Sequence, residues 1–176
     1  MKYAKVFWLV SLTASLWSVA ASQTWPASPA VAIESGESKT MRLFALRLKP
    51  GQDLRSQIET FAKEKQIQAG FVITTVGSLS SASLRLADQP SPTRFDGKFE
   101  IVSLVGTLSK DGVHLHISLS DGSGKTIGGH LVEGCVIYTT AEIVIGEAES
   151  LSFTREKDAE TTYQELRIRK RKRSRR

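Results

Sequence analysis

Phe99-Glu-Ile-Val-Ser-Leu-Val-Gly-Thr-Leu-Ser-Lys-Asp-Gly-Val-His-Leu-His-Ile-Ser-Leu119 decides the fold. Two apolar runs, residues 99–108 and 113–119, are joined by Ser109-Lys110-Asp111-Gly112. An Asp-Gly step between such runs is a hairpin signal, so the two runs pair antiparallel. Upstream, residues 41–48 alternate as a strand and Lys49-Pro50-Gly51-Gln52 makes a turn. Asp53 can then cap a helix carrying Leu54, Ile58, Phe61 and Ala62 on one face and ending before Gly70. Residues 71–76 read as a buried strand that leaves at Gly77, and residues 82–87 as another strand. Residues 88–96, with Pro90 and Pro92, read as a loop. Downstream, a second turn at residues 121–125 leads to strands at 131–132, 136–145, 151–155 and 163–168. One early helix against many antiparallel strands is an α+β layer fold, a mostly antiparallel sheet packed with one or two helices.

The chain has 176 residues, enough for one domain with extensions and too few for two ordinary ones. Its 40% hydrophobic and 24% charged content excludes bulk disorder. The formal charge of +6 misleads about the domain itself. With two lysines near the start and eight basic residues in 167–176 set aside, 14 basic residues face 18 acids, a net charge of −4. Duplex-binding domains carry their positive charge on the folded surface, and this body does not. A single cysteine, Cys135, excludes an intrachain disulfide and sits in an apolar run as a buried structural thiol.

Residues 1–22 have the layout of a secretory leader: Lys2 and Lys5, an apolar stretch over 6–20, then small residues up to Ser22. The apolar stretch is shorter than the ~20 residues that cross a bilayer, so no membrane span is expected once the leader is removed. Residues 23–40 read as a linker, 41–168 as the domain and 169–176 as a basic, disordered tail. Arg169, Lys170, Arg171, Lys172, Arg173, Arg175 and Arg176 could serve nuclear import, nucleic-acid contact or contact with an anionic surface, or could be a solvated end. A nuclear role conflicts with the leader, because a secreted chain does not meet the import machinery. The expected location is the secretory pathway or outside the cell, with the nucleus as the alternative.

All three histidines lie between positions 114 and 130. In a strand, residues i and i+2 point to one side, so His114 and His116 present two imidazoles about 7 Å apart along the strand. Gly128-Gly129-His130 returns nearby and can supply a third, its glycines allowing close backbone approach. Three histidine ligands with one open position suit zinc or another divalent metal. The same residues can instead make hydrogen bonds at a packed or subunit surface without metal. Glu133 and Glu142 are candidate acid–base or ligand groups. No Gly-x-Ser-x-Gly elbow, P-loop or suggestively spaced Cys–His pair is present, so binding is favoured over turnover.

Three segments, Gly112-Val-His-Leu-His-Ile-Ser-Leu-Ser-Asp121, Gly128-Gly-His-Leu-Val-Glu-Gly-Cys135 and Tyr138-Thr-Thr-Ala-Glu-Ile-Val-Ile145, closely resemble the PPC (plants-and-prokaryotes-conserved) domain. Val76-Gly-Ser-Leu79, Ala82-Ser-Leu-Arg-Leu-Ala87 and residues 158–166 extend the likeness over about 125 residues. Gly97, Lys98, Phe99, Glu100, Ile101 and Val102 are similar to the family's Gly-Arg-Phe-Glu-Ile-Leu segment. The resemblance implies a mixed α and β fold and a homotrimer, with that segment contacting partners. It also implies His114, His116 and His130 as metal ligands, since some stand-alone prokaryotic members hold a metal on their histidines. Plant members bind DNA through an attached AT-hook, whose Arg-Gly-Arg-Pro core this chain lacks. The expectation is a stand-alone, trimeric interaction module with a divalent-metal or small-ligand site. DNA association through the basic tail is the alternative, and a metal-dependent enzyme of unspecified substrate a further one.

Overall fold

The computed structural model describes residues 33–171. Residues 1–22, most of the 23–40 linker, and Lys172, Arg173, Arg175 and Arg176 lie outside the described residues. The elements in order are β1 (Met41–Leu48), α1 (Leu54–Glu64), β2 (Gly70–Arg85), β3 (Thr93–Ser109), β4 (Gly112–Ser120), β5 (Thr126–Leu131), β6 (Val136–Ala148), β7 (Leu151–Lys157) and β8 (Gln164–Lys170). Among the described residues no helix is long and apolar enough to cross a membrane.

The expected α+β architecture is present, with one helix among the described residues. Asp53 opens α1 as its N-cap, its carboxylate accepting the Ser56 N–H at 2.9 Å. Its second oxygen accepts the Gly134 N–H at 2.7 Å, tying the helix start to the approach to β6. Leu54, Ile58 and Ala62 form the buried stripe, and they meet the inward residues of the sheet, among them Leu104, Leu115, Ile117 and Ile143. Fully burying a side chain the size of Leu54 or Ile58 stabilises by about 1.5–3 kcal/mol.

The six-stranded sheet runs β1-β6-β2-β3-β4-β5 and is antiparallel throughout. β5 also pairs back onto the end of β2, Leu84 with Leu131 and Arg85 with His130. β2, β3, β4 and β5 therefore close on one another, and the closure brings the ends of β2 and β5 beside the middle of β4. β7 and β8 form a separate two-stranded hairpin.

Several boundaries differ from the sequence expectation. β2 is a single strand of 16 residues rather than two, continuing through Gly77 with register shifts. Gly77 is needed there because a Cβ would lie 2.1 Å from the Thr140 carbonyl oxygen of β6, and its φ is +145°. The glycine marks close approach between strands, not a chain exit. The 88–96 loop is shorter than expected, since Thr93 to Asp96 already pair with β2. β5 begins at Thr126 and includes both glycines before His130.

The basic end also differs. Arg169 and Lys170, expected in a disordered tail, belong to β8, where Arg169 pairs with Ser152 and Lys170 with Leu151. The Arg171 amide donates to the Ser150 carbonyl at 2.8 Å. Half-buried Leu166 and Ile168 alternate with the arginines, so the basic composition conceals a period-two strand pattern.

Candidate metal centre

On β4 the inward residues Leu115, Ile117 and Leu119 are buried, which turns His114, His116 and Ser118 to the opposite face. β5 delivers His130 directly across from His116. Gly128 and Gly129 permit the approach: a Cβ on Gly128 would lie 2.8 Å from the Ile117 oxygen, and one on Gly129 2.9 Å from the Arg85 oxygen. Either side chain would push β5 away from a neighbouring strand.

The three rings converge, with centroids 5.2, 5.0 and 5.4 Å apart. One ligand nitrogen from each ring lies within 4.8 Å of the others. His114 Nε2 and His116 Nε2 are 3.3 Å apart. Two nitrogens at tetrahedral angles, each ~2.05 Å from one zinc ion, are separated by about 3.3 Å, so the spacing fits a shared ion. His130 Nδ1 is buried and has no hydrogen-bond partner among the described residues. Such an orphan costs about 1–3 kcal/mol, and a ligating ion is one way to relieve it. The residues present therefore fit a divalent metal.

Burial and nearby cations favour the neutral form of His114 and His130, the state in which an imidazole ligates. Burial pushes His130 down to about 4, with further lowering from His114, Arg85 and His116. His114 is lowered first by burial, then by Arg155 and His116, with Glu165 acting in the opposite sense. The histidines line a cleft of about 790 Å³ whose other walls include Arg85, Pro90, Arg155, Tyr163 and Glu165. Arg155 reaches it from β7, its guanidinium donating to the Gln164 carbonyl at 3.2 Å and to Thr107 Oγ1 at 3.1 Å.

The remaining sequence candidates lie elsewhere. Glu133 is exposed and nearest Arg55 at 3.7 Å, and Glu142 is exposed on β6; neither lines the histidine cleft. In the 97–102 segment Phe99 and Ile101 point into the core, while Lys98, Glu100 and Val102 face out. Lys98 Nζ lies 4.3 Å above the Tyr138 ring. Ile73, Val76 and Val105 add to the exposed apolar surface around Val102, and Val105 is the register partner of His116. Of the described basic residues at the C-terminal end, Arg169 meets Glu156 at 2.6 Å and Arg171 approaches Glu147 at 3.8 Å. Cys135 is buried, with a thiol pushed up to about 11 by that burial, as suits a structural role.

Sequence reasoning passed over Arg85, Arg155 and Glu165. In the sequence Arg85 is one residue of the 82–87 strand, and the other two belong to a hairpin whose placement has no local signal. It also passed over Glu147, which is fully buried, bonded to Arg42 and accepting the Gln68 N–H at 2.9 Å.

The sequence matches the Plants and Prokaryotes Conserved (PCC) domain over residues 35–149. A bifunctional protein GlmU from Synechococcus sp. (strain JA-3-3Ab) is 50% identical over 131 residues, covering 74% of this chain and 21% of the relative. The chain thus spans about a fifth of that relative's length. A solved hypothetical protein from Salmonella enterica has a TM-score of 0.75 and 43% identity, covering 77% of this chain and 98% of that one. A metal-containing protein from Archaeoglobus fulgidus has a TM-score of 0.63 and 28% identity, covering 76% and 97%.

Proposed function

The chain belongs to the Plants and Prokaryotes Conserved domain family, and from that premise we propose an oligomeric binding module that holds a divalent metal on His114, His116 and His130. The observation that carries this is the convergence of three ligand nitrogens within 4.8 Å at the wall of an open cleft. Three imidazoles leave a coordination position for an incoming ligand, and a bound divalent ion would supply Lewis acidity there. An all-imidazole donor set suits zinc, as it does copper, iron and nickel. The metal-containing relative from Archaeoglobus supports the reading. The proposal is one of binding; Glu133 and Glu142, the acid–base candidates of the sequence, stand away from the cleft.

Self-association, as a homotrimer, belongs to the same proposal. Its support is the exposed apolar surface formed by Ile73, Val76, Val102 and Val105, of the kind that marks interaction sites. Tail-mediated DNA association has less support, because Arg169 and Arg171 already face carboxylates within the fold.

Metal analysis of the purified full-length chain tests the site. After incubation with zinc and gel filtration, about one ion per chain is expected, falling sharply in His114→Ala. A wild-type chain that remains metal-free would overturn the reading. Sedimentation of wild type against Val102→Glu tests association, and a wild-type monomer at micromolar concentration would refute it.

A further inference from the structure

The cleft beside the histidines contains two guanidinium groups that form no ion pair within 4.0 Å among the described residues. Arg42, Arg55, Arg94, Arg167 and Arg169 each meet a carboxylate within 4.0 Å. Arg85 meets none among the described residues, although it lines the cleft. Arg155 hydrogen-bonds neutral acceptors, the Gln164 carbonyl and Thr107 Oγ1, and feels Glu165 of the same wall electrostatically.

Both cations are placed by the strand register. Arg85 is the register partner of His130, and Thr107, which anchors Arg155, is the register partner of His114. The backbones of Arg85 and His130, and those of Thr107 and His114, therefore lie one strand spacing, about 4.8 Å, apart. Asp88 and Glu165 are the carboxylates of the same wall, and Glu165 is engaged by the Thr161 hydroxyl at 2.9 Å. Two guanidiniums, two carboxylates and a divalent ion leave the loaded cleft with a charge of +2. The carboxylates offset the guanidiniums, so the excess positive charge comes with the bound ion and favours an anion in the cleft. Guanidinium presents paired N–H groups that match the two oxygens of a carboxylate or phosphate.

We propose that this cleft binds an oxyanion, a carboxylate or phosphate group whose oxygens take the open metal position and are clamped by Arg85, with Arg155 as the second cation. The proposal rests on the metal reading above and adds the chemical class of the ligand. A cleft of about 790 Å³ exceeds what an inorganic anion fills and lies in the range of small-molecule sites. Tyr163 and Pro90 on the wall give the rest of the ligand an apolar surface, so an anionic head on a planar or apolar body fits best.

The test uses the full-length chain loaded with cobalt(II), titrated with inorganic phosphate in one arm and benzoate in the other. Calorimetry and the visible spectrum of the bound cobalt are recorded, and metal content is measured on every sample. The expected result is saturable binding of at least one probe with a change in the cobalt spectrum. Arg85→Ala keeps its full metal content and loses about ten- to hundredfold in affinity, the worth of a charge-assisted pair. Arg85→Lys recovers only part of it, because an ammonium lacks the fork. Binding of benzoate over phosphate assigns a carboxylate with a body, and the reverse order a phosphate.

No binding of either probe to the loaded wild type overturns the proposal, as does an Arg85→Ala affinity equal to wild type. If no metal binds, the metal reading fails by itself. Oxyanion binding that depends on Arg85 in the metal-free chain would then uphold the clamp, and its absence would overturn it.

Discussion

Substitution of Gly129 by alanine tests whether strand closure positions the histidines. A Cβ at this position would lie 2.9 Å from the Arg85 carbonyl oxygen, against ordinary contact beginning at 3.4 Å. β5 must therefore retreat from β2 by about 0.5 Å, and the obstacle is backbone that cannot rotate away. That displacement matches the ~0.5 Å tolerance within which a binding constellation must be held. His130, the next residue, moves with the strand, and its pairing with Arg85 is pried open. Overpacking of this kind costs about 1–3 kcal/mol, and loss of support to a metal ligand typically lowers affinity about 10–100-fold. Gly122→Ala is the control, since a Cβ there meets nothing within 4 Å. Urea unfolding and zinc competition against a chromophoric chelator measure both effects. Equal stability and equal zinc affinity in the two variants would refute the idea that β5–β2 closure builds the site.

Glu147→Ala should destabilise by about 2–4 kcal/mol, because it strips a buried carboxylate from Arg42 and leaves the Gln68 N–H without its acceptor; the urea midpoint measures this. His130 sits near 4 in the folded chain against an ordinary 6.5, so the unfolded chain binds the proton more readily. The metal-free protein should therefore keep its full stability from this group above about 6.5 and lose it as pH falls towards 4. His130→Asn should flatten that dependence in urea titrations at pH 7 and pH 5. Truncation after Arg171 should leave the thermal midpoint within a few degrees of wild type. Truncation after Glu165 removes the pairing of Leu166 through Lys170 with β7 and should lower it clearly. Mass spectrometry of material exported by a secreting host should find a chain beginning near residue 22.

The elements legible in the sequence are those fixed by local chemistry. The β3–β4 hairpin follows from Asp111-Gly112 between apolar runs, and α1 from Asp53 ahead of a helical stripe. His114 and His116 share a face because strand geometry is local. Non-local features were hidden. Gly77 looks like a chain break in one dimension and is a close contact with β6 in three. Arg85 meets His130 only because β5 closes onto β2, and Arg155 reaches the cleft from a hairpin about 40 residues beyond the first histidine. At the C-terminal end, charge masks the alternation of Leu166 and Ile168, and β8 runs two residues past the expected end at Ile168, to Lys170.

The convergence of three imidazoles on one ion is tested most directly by X-ray absorption on the zinc-loaded full-length chain. The predicted spectrum has three histidine nitrogens at about 2.0–2.1 Å, with imidazole ring scattering, plus one further light atom. The triple variant His114→Ala, His116→Ala, His130→Ala should take up no comparable ion. A first shell made of oxygen alone, or one unchanged in that variant, would contradict the account.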